Sequence, residues 1–167
     1  MKCGPLWQDI FISSKNFLEI GRFSELTPRQ KYIRFVGIKR LALAKFVVHK
    51  YAKTGPNNNI LYVVAISIAL YEEQRYPEYT LVNQAVECLK HSYNRKIVAF
   101  GNFILRKIFA DPNLFRYRLS WEQIRLNAPL WWITHLKKQV DYNHLQDVLV
   151  DSLLRHPPLN VRLNKPQ

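Results

Sequence analysis

Acidic residues are missing from two long stretches of this chain. From Leu26 to Tyr71 there is no Asp or Glu against eight Lys/Arg, and from Cys88 to Ala110 none against five. The remaining twelve Lys/Arg and twelve Asp/Glu cancel, so the whole net charge of +13 lies in those two segments. Charge segregated in this way suits a surface that faces a polyanion. A generally basic, well-solvated protein and an acidic protein partner are the competing readings.

Other scarcities exclude further classes. There are two cysteines, Cys3 and Cys88, with no CxxC. Neither forms metal-ligand spacing with His49, His91, His135, His144 or His156, which leaves no disulfide framework and points to a reducing compartment. The five glycines form neither GxGxxG nor a P-loop, so no phosphate or cofactor cradle is visible. The longest apolar run, ILYVVAISIALY at 60–71, is too short to cross a bilayer. No secretory signal follows Met1-Lys2, and a cytoplasmic location is expected. Glu72-Glu73 are adjacent and point in different directions from a helix, which does not suit paired acid–base work. They are expected to face water at its edge, and Trp131-Trp132 to supply one core and one boundary ring. No catalytic residue and no metal site is expected in this chain.

What is present is a one-domain length of 167 residues, rich enough in apolar side chains (48%) to bury a core. Helical spacing of Leu6, Trp7, Ile10, Phe11, Phe17 and Leu18 predicts a helix over 5–20. Thr27-Pro28 is a cap-and-proline start for a helical region to about Lys53, divisible at Gly37 and Lys39-Arg40. The asparagines at 57–59 cap a buried helix to about 75. Further helices follow from Pro77/Thr80 through Leu89, from Asn94 to about Phe109, from Ser120, from Pro129, and from Asn143 to Arg155. The expected fold is all-α, a bundle of about eight or nine helices.

Helix 94–109 carries the clearest constellation. At about 100° per residue, Arg95, Asn102 and Arg106 share one line, and Lys96 and Lys107 form another, with Phe103 between them. Ile97, Phe100, Ile104 and Ile108 lie opposite. Such a face can hold phosphates and stack a base. Each residue also has a plainer reading. Asn102 suits a structural amide, Arg106 a salt bridge, Phe103 the rim of the core, and Gly101 a close helix–helix approach.

Four motifs then occur in order. Val82-Asn83-Gln84-Ala85-Val86 comes first, followed by Asn102 with Ile104, Leu105, Arg106 and Lys107. Pro129 and Trp131 come next, then Pro157-Pro158 with Arg162 and Asn164. Over about 58–164 the chain resembles the N-terminal region of bacterial small-subunit ribosomal RNA cytosine-C5 methyltransferases of the RsmB (Fmu/Sun) family. Two departures are Phe103, where that family has a small residue, and Lys107, where it has arginine.

The resemblance implies a NusB-like helical domain over 1–155 that binds small-subunit ribosomal RNA. The antitermination factor NusB has a similar asparagine at the Asn102 position but lacks the arginine at Arg106. Candidate RNA contacts are Arg34, Lys39, Arg40, Arg95, Lys96, Arg106 and Lys107. The resemblance also makes 156–167 a linker into an absent methyltransferase domain. In RHPPLNVRLNKPQ, Leu159, Val161 and Leu163 alternate with polar residues as a strand would, and its partners would lie in that domain. The absent half would hold S-adenosylmethionine and the cysteine that attacks cytosine C6, so the full-length protein would be the enzyme. Neither Cys3 nor Cys88 sits in the family's Pro-Cys or Thr-Cys context. Two other expectations stand beside this one. The first is a free-standing NusB-like adaptor joining RNA to a protein partner in antitermination or ribosomal RNA processing. The second, weaker, is contact with an anionic membrane surface.

Overall fold

A computed structural model describes residues 4–15, 25–52, 57–111, 113, 128, 130–141 and 143–144. Among these, every regular element is a helix. They are α1 (Leu6–Lys15), α2 (Pro28–Ile38), α3 (Leu41–Tyr51), α4 (Asn58–Glu72), α5 (Glu78–Lys90), α6 (Arg95–Ala110) and α7 (Leu130–Leu136). The described residues therefore form an all-helical bundle. The stretch expected to extend α1 to residue 20, the helices from Ser120 and after Asn143, and the strand at 159–163 with its Pro-Pro linker lie outside the described residues.

Helix α4 is the axis of the bundle. Every residue from Ile60 to Leu70 is buried, and the helix contacts α1, α2, α3, α5 and α6. A helix apolar all round is stable only when neighbours cover every side, which the acid-free apolar run dictates. The buried Ser67 hydroxyl donates to the Val63 carbonyl at 2.8 Å and so is not left orphaned.

The helix starts follow local chemistry. Thr27 and Gln30 form a reciprocal capping box with Pro28 in the first turn of α2. Asn57 accepts from the Asn59 N–H at 2.9 Å, and Asn94 from the Ile97 N–H at 3.1 Å. Of the two expected division points, Lys39-Arg40 separates α2 from α3, while Gly37 lies inside α2. Gln30 also ties α2 to α1. Its amide donates to buried Asp9 at 3.0 Å, Arg29 pairs with the same carboxylate at 3.1 Å, and Ser13 donates to the Gln30 carbonyl at 3.1 Å. Trp7 stacks on His91 with centroids 4.1 Å apart, joining α1 to the end of α5.

Two expectations need correcting. Glu72 and Glu73 do not stand free in water: Glu72 pairs with Arg40, and Glu73 with Arg75 at 3.4 Å and with the Tyr32 hydroxyl. The close packing of α2 and α3 along α4 brings Tyr32 and Arg40 to its C-terminal end. Nor is either ring of Trp131-Trp132 in the core. Trp131 is 72% exposed and Trp132 half-buried, while Ile133 supplies the buried contact of α7.

Candidate nucleic-acid interface

Helix α6 divides cleanly into two sides. Gly101, Ile104, Leu105, Ile108 and Phe109 are buried, and Ile97 and Phe100 pack half-buried beside them. Gly101 lies against α5, where an added Cβ would stand 2.3 Å from Leu89 Cδ1. Close approach is the reason for this glycine. Arg95, Lys96, Phe103, Arg106 and Lys107 are all exposed, as the helical spacing predicts.

Asn102 is half-buried, and its side-chain oxygen accepts from Arg106 Nε at 3.1 Å. One turn of helix thus steadies the guanidinium through its Nε–H. Arg106 also borders a shallow cleft of about 320 Å³ with Glu78, Tyr79, Val82 and Asn83 of α5. Val82, Asn83 and Arg106 come from two separate motifs, and the α5–α6 packing brings them to one cleft.

On the other flank of the strip, α6 meets α3. The Tyr51 and Phe103 rings are perpendicular, with centroids 6.0 Å apart. The Lys50 ammonium lies 5.7 Å from the Tyr51 ring centre and the Lys107 ammonium 5.9 Å from that of Phe103. The two acid-free segments therefore touch, each contributing one ring and one cation. Lys50 and Tyr51 are absent from the sequence-derived contacts, because nothing local signals a pairing across fifty residues of chain.

The basic residues of the first segment do not all reach this surface. Arg34 is 3% exposed, so it has no access to a phosphate outside the protein. Its place follows from spacing: Gln30, Ile33, Arg34 and Gly37 form one helical row, and all four are buried. Arg40 is held by Glu72, with both side chains 15% exposed. Lys39 lies over the exposed Phe35 ring at 4.5 Å; partial burial, and then the Arg40 charge, lower its pKa. Helix rise puts Lys39 and Arg40 about 17 Å from Tyr51, at the other end of α3. Of the seven expected contacts, Arg95, Lys96, Arg106 and Lys107 share one exposed strip, and Arg34, Lys39 and Arg40 lie elsewhere.

Cys88 is buried, and its thiol is pushed up to about 12 by burial, against a smaller opposing hydrogen bond from Ser14. A thiol so disposed has little thiolate for nucleophilic or metal chemistry at neutral pH. Among the described residues, no group of three or more His, Cys, Asp or Glu is placed to hold a metal ion. Among them too, no helix is long and apolar enough to cross a membrane.

No family model matches this chain, and no curated protein matches it.

Proposed function

We propose that this domain binds RNA through the exposed strip of α6 and the adjoining end of α3. The observation that carries the reading is the strip itself. Arg95, Lys96, Arg106 and Lys107 stand exposed on one helix with no acid between Cys88 and Ala110. Outward cations on a rigid helix hold phosphates at fixed spacing and release counterions on binding. The exposed Phe103 ring beside them suits nucleic acid better than a simple acidic protein surface.

The finer reading is that the domain belongs to a ribosomal RNA cytosine-C5 methyltransferase of the RsmB type. Here it would position small-subunit ribosomal RNA for an S-adenosylmethionine-dependent domain elsewhere in the same polypeptide. The four sequence motifs support this reading, together with the meeting of Val82, Asn83 and Arg106 at one cleft.

The test replaces Arg106 and Lys107 together with alanine. Both side chains are exposed, so circular dichroism and melting should stay as in the wild type. Affinity for small-subunit ribosomal RNA fragments at low salt should fall about tenfold or more. Unchanged affinity would contradict the reading, and loss of the fold would make the pair structural.

A further inference from the structure

A solitary exposed phenylalanine needs no explanation. Phe103 is not solitary. It is 45% exposed on the cationic strip, where the motif it resembles has a small residue. Its plane is set by Tyr51, a ring from a different helix, and Lys50 and Lys107 flank the pair.

We propose that Tyr51 and Phe103 form a stacking site for an unpaired base of single-stranded RNA, with Lys50 and Lys107 as its phosphate contacts. The proposal rests on the RNA-binding reading above and narrows it to one class of RNA. A perpendicular pair lets Tyr51 cover at most one face of the Phe103 ring, and that residue is 45% exposed, so a planar ligand can reach the ring once Lys107 swings to a phosphate. The Lys107 ammonium lies near the outer limit of a cation–π contact, about 6 Å, so the Phe103 ring holds it only weakly. Moving from ring to phosphate exchanges a weak contact for a charge-assisted one. A duplex offers no base face along its length, because each base is already stacked between its neighbours. Single strands do.

The experiment compares a short oligouridine with an RNA duplex of equal length, by fluorescence anisotropy at two salt concentrations. Phe103→Leu keeps the apolar bulk and removes the ring, and Phe103→Trp enlarges the ring. Phe103→Ala, which favours helix, is measured in parallel so that the conclusion does not rest on one variant's folding. Leu and Ala should weaken oligouridine binding about fivefold or more, with duplex affinity and salt slope unchanged. Trp should retain the wild-type affinity. Wild-type oligouridine affinity in the Leu and Ala variants would overturn the stacking site while leaving RNA binding intact. Equal losses on single strand and duplex would do the same. Failure of the wild type to bind either RNA would overturn both readings.

Discussion

Gly101→Ala is a sharp test of how α5 and α6 are held together. In an exposed helix interior this change would stabilise, since alanine is favoured over glycine by about 1 kcal/mol. Here the new methyl would lie 2.3 Å from Leu89 Cδ1, well inside the roughly 3.5–4.0 Å of an ordinary carbon contact. Leu89 must give way by more than 1 Å. It is 1% exposed, with little room to turn. Overpacking of this kind costs about 1–3 kcal/mol, so the net change is a loss of about 0–2 kcal/mol despite the better helix former. Leu89→Ala alone leaves a cavity and costs about 2–5 kcal/mol. In the double variant the methyl introduced on α6 enters that space, so the combined loss should fall short of the two separate losses by about 1 kcal/mol or more. Urea denaturation of the four proteins closes the cycle. Stabilisation by Gly101→Ala, or strict additivity, would refute the packing account of this glycine.

Three further outcomes follow from the geometry. Arg40→Ala should lower stability by about 1–3 kcal/mol, by breaking the ion pair with half-buried Glu72. It should leave RNA affinity unchanged, which binding and melting data on the same variant would show. In a Cys3→Ser background, the shift of Cys88 from 9.0 to about 12 leaves about a thousandfold less thiolate near pH 8 than in the unfolded chain. Iodoacetamide labelling should therefore be slow in buffer and fast in denaturant. Because that folded-state pKa is raised, the contribution of Cys88 to stability is complete below pH 9.0 and is lost as pH rises toward 12, which melts across that window would reveal.

Much of this was legible in the sequence, for identifiable reasons. The central helix is an uninterrupted apolar run, and such a run has one stable environment. The starts at Thr27, Asn57 and Asn94 were legible because capping acts within three residues. The exposed strip of α6 follows from helical spacing, since Ile104 and Ile108 fix which side is buried. Arg34 was misread although the signal existed: it shares a helical row with Ile33 and Gly37, and a count of positive charges ignores rows. The Arg40–Glu72 pair and the meeting of Tyr51 with Phe103 could not be read, because both join residues far apart in the chain. Tertiary packing alone decides such partners. Whether the acid-free segments share one face was not legible in the sequence; the fold holds Arg29 and Arg40 in ion pairs, buries Arg34, and sets Arg95, Lys96, Arg106 and Lys107 on one exposed strip.

The most direct test of RNA binding by this strip is the salt dependence of affinity for a single-stranded ribosomal RNA fragment. Single-strand contacts contribute about −0.7 each to the slope of log K against log salt. With Arg95, Lys96, Arg106 and Lys107 engaged, the slope should be about −3, falling to about −1.5 when Arg106 and Lys107 are alanine. A flat salt dependence, or a slope indifferent to that double substitution, would contradict the account.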